Sequence, residues 1–193
     1  MSAIIEYHPF KPFLPKNAKV LFLGSFPPGE RRWSMDFYYP NFINDFWRVL
    51  GLVFFDRKDY FIVPGRKVFD KERIIDFCND RGIALHDTAN AVIRLNDNAS
   101  DKYLNVIERV DITSLLSQMP ECKAIAATGQ KAAEIVAEQL GCEVPATGSN
   151  SEITCNKQLL SFWRMPSTSR AYPLPLEKKA DIYRILIESV IGK

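Results

Sequence analysis

Histidine occurs only twice in these 193 residues, and the four cysteines, Cys78, Cys122, Cys142 and Cys155, form no C-x-x-C pair. That ligand supply and spacing argue against a zinc site and against an iron–sulfur cluster. Reduced, mostly buried thiols are the simpler reading, with no metal and no cofactor. Charge of one sign is scarce as well: 25 Lys and Arg against 23 Asp and Glu leave a net charge of +2. A nucleic-acid face would have to come from local clustering rather than from bulk charge. No apolar run reaches membrane-spanning length, and the N-terminus carries no apolar signal core. A cytoplasmic protein without a membrane partner is therefore expected. Neither G-x-G-x-x-G nor G-x-x-x-x-G-K-[ST] follows the first apolar run, which argues against a small nucleotide-binding enzyme acting on a free nucleoside or phosphate compound. No repeat, low-complexity tract or linker divides the chain, so residues 1–193 read as one α/β domain.

Apolar and β-branched runs are present instead, each closed by turn residues. Lys19 to Gly24 reads as a first buried strand, stopped by a glycine and followed by Pro27, Pro28 and Gly29. Gly82 to Leu85, Lys123 to Ala127 (closed by Thr128 and Gly129) and Leu159 to Trp163 (ended by Pro166) read as three more. Helical spacing covers Asn41 to Leu50, with Gly51 as a stop, and Arg66 to Asp80. Tyr103 to Leu116, the Ala/Glu-rich Lys131 to Leu140 ahead of Gly141, and Glu177 to Ile191 complete the expected helices. Phe10 to Pro15 reads as an extended lead-in, and Asn96 to Asp101 as a polar loop or cap. Strands alternating with helices imply a parallel sheet with helices on both faces.

In such a sheet the four strand ends share one edge, where ligands bind. They carry Gly24-Ser25-Phe26-Pro27, His86-Asp87-Thr88, Thr128-Gly129 and Pro166-Ser167-Thr168-Ser169-Arg170. Just beyond the first strand the chain is crowded with rings, through Phe37, Tyr38, Tyr39, Phe42, Phe46 and Trp47, with arginines nearby. Flat rings beside cationic groups suit a nucleobase with its phosphates.

These pieces, in this order, resemble the uracil-DNA glycosylase superfamily, nearest its mismatch-specific and hypoxanthine-DNA glycosylase branches. The matching segments are Gly24-Ser25-Phe26-Pro27 as motif one, Tyr39 to Arg48 after it, Gly82 to Asp87 in the middle, and Pro166-Ser167-Thr168-Ser169 as motif two. The resemblance implies a three-layer α/β/α fold around a four-stranded parallel sheet. It also implies a DNA partner and hydrolysis of the N-glycosidic bond of a flipped-out base in base excision repair.

It further implies roles by position. Tyr39 falls where the family stacks a ring on the base, and Asn44 falls where related branches place an Asn that positions water or contacts the sugar. Both have plainer readings, as loop packing and as a helix-start cap. Phe26 stands where many relatives carry a water-positioning Asp or Asn, so here it could only line the base site. Ser25 is a nearby polar alternative, or a turn residue. Asp87 falls at a base-reading position often held by Asn. Its neighbour His86 could stabilise a departing base anion or could simply be structural, and Asn90 is a further candidate for the base site or a cap. Met165 replaces the His or Asn expected before Pro-Ser, and Ser169 or Arg170 occupies the place of the usual apolar wedge. Ser167, Ser169 and Arg170 are candidate phosphate contacts, with Arg31, Arg32 and Arg164 as a possible rim. No lysine nucleophile lies in the motifs, so the expectation is a monomeric, monofunctional glycosylase for uracil, hypoxanthine or a mismatched base. The alternative is a catalytically inactive nucleic-acid-binding relative, marked by Phe26 and Met165.

Overall fold

The computed structural model describes residues 4–95 and 103–192; the expected polar loop at Asn96 to Asp101 lies outside them. Its elements are β1 (Ile5–Tyr7), β2 (Val20–Gly24), α1 (Phe46–Phe55), α2 (Lys71–Arg81), β3 (Ile83–Asp87), β4 (Ala89–Arg94) and β5 (Leu104–Arg109). They continue with α3 (Ile112–Ser117), β6 (Ala124–Thr128), α4 (Gln130–Leu140), β7 (Ser149–Cys155), β8 (Gln158–Met165) and α5 (Leu176–Val190).

The four expected strands are β2, β3, β6 and β8, and they pair in parallel in the order β3-β2-β6-β8. The sheet nevertheless has five strands, because β7 adds antiparallel to the outer side of β8. Its exposed positions are polar, so it lacks the continuous apolar run that marks the buried parallel strands. The hairpin turn is set by Asn156 and Lys157, both at positive φ (51° and 63°), as a tight two-residue connection requires.

Alternation along the central strands sends their side chains into two separate cores. Val20 and Phe22 pack with α1, α2 and α5, in a cluster rich in Phe, Tyr and Trp. Leu21 and Leu23 pack with α3 and α4. Helices therefore cover both faces, and three layers result. The cysteines are unpaired, with Cys78, Cys122 and Cys155 buried. Among the described residues, no helix is long and apolar enough to cross a membrane.

Four expectations are corrected. The helix expected from Arg66 begins at Lys71, where the Asp70 side chain accepts from Arg73 N at 3.1 Å. The helix proposed for Tyr103 to Leu116 is strand β5 followed by the short α3. β5 pairs antiparallel with β4, and the Asp111 side chain then accepts from Ser114 N at 2.9 Å to start the helix. The first helix begins at Phe46, not Asn41, and runs through Gly51 to a left-handed Asp56. Gly51 serves close approach instead of termination, since a Cβ there would lie 2.4 Å from the Arg57 carbonyl oxygen. Finally, β1, β4 and β5 form a second, three-stranded antiparallel sheet that the strand–helix alternation did not suggest. Within the Phe10–Pro15 lead-in, Phe13 forms an antiparallel bridge to Leu85, exchanging backbone hydrogen bonds on the outer edge of β3.

Candidate functional site

At the carboxyl end of β2, β3 and β6 lies a cavity of about 520 Å³. It is walled by three loops: Gly24–Pro28 leaving β2, Tyr39–Asn44 ahead of α1, and Ser167–Pro173 leaving β8. Asp87 and Thr128 contribute from the ends of β3 and β6. Of the residues the sequence nominated, Ser25, Phe26, Tyr39, Asn44, Asp87, Ser167, Ser169 and Arg170 line this one space.

Tyr39 is held with unusual firmness. Its φ of +51° lies in the left-handed region, which costs a bulky residue on the order of 1 kcal/mol or more, and Pro40 follows it. Phe46 stacks on one face of the ring at 3.7 Å between centroids and 11° between planes. The phenol lies 2.9 Å from Thr128 Oγ1, which itself donates to the Leu23 carbonyl. Burial pushes the phenol pKa well above its usual value. Ring plane and hydroxyl are thus both fixed before any ligand arrives.

Asn44 precedes α1 by two residues, and its Oδ1 accepts from Phe46 N at 2.9 Å. That bond fixes which way the amide faces. A carboxamide oxygen has a second lone pair and the nitrogen two donors, so the group can still orient a water or a sugar oxygen. The Asn44 backbone carbonyl oxygen accepts from the buried Arg48 guanidinium at 3.0 Å, which also binds the Phe42 carbonyl at 2.6 Å and lies over the Phe42 and Phe69 rings.

Asp87 depends on a glycine. Its Oδ1 comes within 2.3 Å of the point where a Cβ on Gly24 would sit, so only glycine at the end of β2 admits the carboxylate. The other oxygen, Oδ2, lies 2.9 Å from His8 Nε2. Phe26 lines the wall with its ring edge-on to His8 and packs on Ala89, Val92 and Leu104.

The β8 loop is tied to the Asn44 loop by a buried ion pair absent from the sequence reading. Lys179 Nζ on α5 lies 2.9 Å from Asp45 Oδ2 and 3.0 Å from the Ser169 carbonyl oxygen. Lys179 is 1% exposed and Asp45 6%. Asp45 N donates to the Thr168 carbonyl at 2.9 Å, and Arg170 Nη2 approaches Asp45 Oδ1 at 3.6 Å. Ser167 and Ser169 make short-range turn bonds, their hydroxyl oxygens accepting from Ser169 N and Ala171 N. The Arg170 side chain is 56% exposed at the rim. Ile43, 52% exposed, Arg32 and Tyr172 stand at the same rim.

Of the nominated residues, His86, Asn90, Arg164 and Arg31 do not line the cavity. His86 precedes Asp87 on β3, and alternation turns it away from the space that Asp87 faces. It is buried, with Nδ1 2.7 Å from the Tyr38 hydroxyl, which donates to the Lys11 carbonyl. Burial and the neighbouring His8 push its pKa down to about 4. Asn90 lies on β4, where its amide bonds Glu108 across the small sheet and its carbonyl oxygen accepts from His8 N at 2.7 Å. Arg164 is likewise outside, near the Pro145 carbonyl oxygen at 3.4 Å. Met165 is fully buried in the aromatic core rather than facing the cavity.

No protein-family model and no curated protein matches the chain. Solved structures do match. One is the solution structure of a Methanosarcina acetivorans protein given the provisional description uracil DNA glycosylase, at 23% identity and a TM-score of 0.64. The alignment covers 96% of this chain and 99% of the other. At that identity the likeness establishes a shared fold.

Two outcomes follow for stability. Lys179→Met removes the buried cation of Asp45 and leaves only the rim guanidinium of Arg170 at 3.6 Å, so it should lower unfolding free energy by about 3 kcal/mol in urea titrations, the lower end for breaking a buried pair. His86 stays neutral in the folded chain down to about pH 4, whereas unfolded histidine takes a proton near 6.5. Its contribution should be complete above pH 6.5 and fall away progressively from 6.5 to 4, by up to about 3 kcal/mol. Denaturation at a series of pH values, with His86→Gln flattening that slope, checks this.

Proposed function

We propose that this protein is a monofunctional DNA glycosylase that hydrolyses the N-glycosidic bond of a deaminated or mismatched base, uracil, hypoxanthine or a close relative, flipped out of DNA. The observation that carries the reading is the convergence of Tyr39, Asn44, Asp87 and the Ser167–Arg170 loop on one cavity of about 520 Å³. That volume is within the range of small-ligand sites. Likeness in fold to a protein described as a uracil DNA glycosylase supports it.

Each group has work that suits its chemistry. Cleavage develops positive charge on the sugar and negative charge on the departing base, so the site must grip the base and hold a water. Phe46 already covers one face of Tyr39, and a base stacks on the other. Stacking of this kind is worth about 1–3 kcal/mol per base. A carboxylate at Asp87 accepts hydrogen bonds and so favours a base edge that presents N–H. Uracil and hypoxanthine present one on the ring nitrogen where cytosine and adenine present a lone pair. Asn44 orients the attacking water, taking the part that Phe26 cannot perform. Ser167, Ser169 and Arg170 contact phosphates flanking the extruded nucleotide. No lysine lines the cavity among the described residues, and Lys179 Nζ is committed to Asp45 and Ser169. Strand cleavage through a Schiff base is therefore not part of the reaction.

Base release from labelled duplexes carrying uracil, hypoxanthine, xanthine or thymine opposite each normal base tests the proposal. Wild type should release at least one of them without nicking the strand. Asn44→Ala should lower the single-turnover rate about 100-fold or more while duplex binding persists, in the range of general acid–base contributions. Binding without release from any substrate would instead identify a nucleic-acid-binding protein that has lost the chemistry.

A further inference from the structure

We infer that His8, on the N-terminal strap, is a positioning residue that sets base selectivity by holding the Asp87 carboxylate toward the cavity. The inference rests on the reading of that cavity as a base pocket. His8 lies 79 residues from Asp87 in sequence, yet its Nε2 is 2.9 Å from Asp87 Oδ2, with only 4% of the His8 side chain exposed. A carboxylate oxygen accepts, so Nε2 carries the proton and donates. The opposite ring nitrogen, Nδ1, sits at the Phe10 backbone, 2.8 Å from its carbonyl oxygen and 3.2 Å from its nitrogen. The imidazole is thereby fixed at both ends.

The strap that presents it is held at the site edge by its own contacts. Ile5–Tyr7 pairs with β4, His8 N donates to the Asn90 carbonyl, and Arg94 on β4 binds Glu6 on the strap and the Pro27 carbonyl of the cavity loop. Phe26 and His86 pack edge-on against the imidazole, at 5.4 Å and 4.8 Å between centroids. The three-stranded sheet thus braces the cavity from outside, through Arg94 to the loop after β2 and through His8 to Asp87.

With Oδ2 engaged by His8 and Gly24 leaving room for Oδ1, the carboxylate has one orientation. It offers a fixed acceptor to a base N–H and repels the lone pair that cytosine or adenine would present. Without His8 the carboxylate can rotate, and the difference between the two kinds of base edge shrinks.

The test compares binding to duplexes containing 2′-fluorinated, uncleavable deoxyuridine or deoxyinosine with binding to the matching deoxycytidine or deoxyadenosine duplexes, alongside base release where it occurs. Wild type should prefer the deaminated base. His8→Ala should reduce that preference about tenfold, the scale of one hydrogen bond to a charged group. His8→Gln, whose amide nitrogen can occupy the Nε2 place, should restore it. Asp87→Ala should cost the same preference, and adding His8→Ala to it should cost little more. Preference unchanged in His8→Ala, or lost equally in His8→Gln, would overturn the inference, as would a wild type that shows none. Because binding preference is read separately from base release, an inactive but discriminating protein would refute the glycosylase reading while sustaining the role of His8.

Discussion

The buried pair of Asp45 and Lys179 is the interaction on which the site depends. Two loops distant in sequence must face each other across a space wide enough for a ligand. Hydrophobic packing resists that arrangement, because an apolar interface would close the gap. An ion pair below the gap solves the problem by direction and reach. Lys179 brings α5 against the start of α1, places one donor on Asp45 and another on the Ser169 carbonyl, and the Asp45 amide takes the Thr168 carbonyl. Such a pair adds little net stability over an apolar replacement, but breaking it from one side is costly. Its value here lies in fixed spacing.

The Asn44 and Ser167–Arg170 walls lean on that frame, and the other walls have anchors of their own. Asn44 immediately precedes Asp45, so its amide is located by the same contact and by its own cap on Phe46. The strained backbone of Tyr39 persists because a ring stack and a hydroxyl bond hold it from two sides. Gly24 admits Asp87, and the small antiparallel sheet braces Asp87 from behind through His8. The result is a preorganised space, in which little reordering is needed when a flat, polar ring enters.

Much of this was legible in the residues, and the failures have physical causes. Strands β2 and β6 are short apolar runs stopped at Gly24 and before Gly129, β3 opens after Gly82, and the Leu159–Trp163 run of β8 stands just ahead of Pro166, so local pattern sufficed to find them. Strand β7 opens with four polar residues, Ser-Asn-Ser-Glu, and carries no strand pattern over that half without its partner β8. Strand β5 holds an ambiguous run, Leu-Asn-Val-Ile-Glu-Arg, whose state is decided by pairing with β4 rather than by local preference. At the site, the nominated loop residues converge because strand ends in a parallel sheet share an edge. Asp45 and Lys179 were invisible because a carboxylate and an ammonium 134 residues apart look like solvated charges until the fold buries them. His8 was missed for the same reason: nothing local distinguishes a lone histidine near the N-terminus. His86 drew attention by standing beside Asp87, yet the period of two that brings one of them inward turns the other away.

On the proposed function, this cavity receives a base drawn out of duplex DNA. The most direct measurement is the fluorescence of 2-aminopurine placed beside an uncleavable 2′-fluorodeoxyuridine or 2′-fluorodeoxyinosine in a duplex titrated with the protein. Extrusion unstacks the probe's neighbour, so fluorescence should rise several-fold on binding, and the rise should be absent with the matching cytidine or adenosine duplex. Saturable binding with no change in fluorescence would show that the protein holds DNA without opening it, and would contradict a base-receiving role for the cavity.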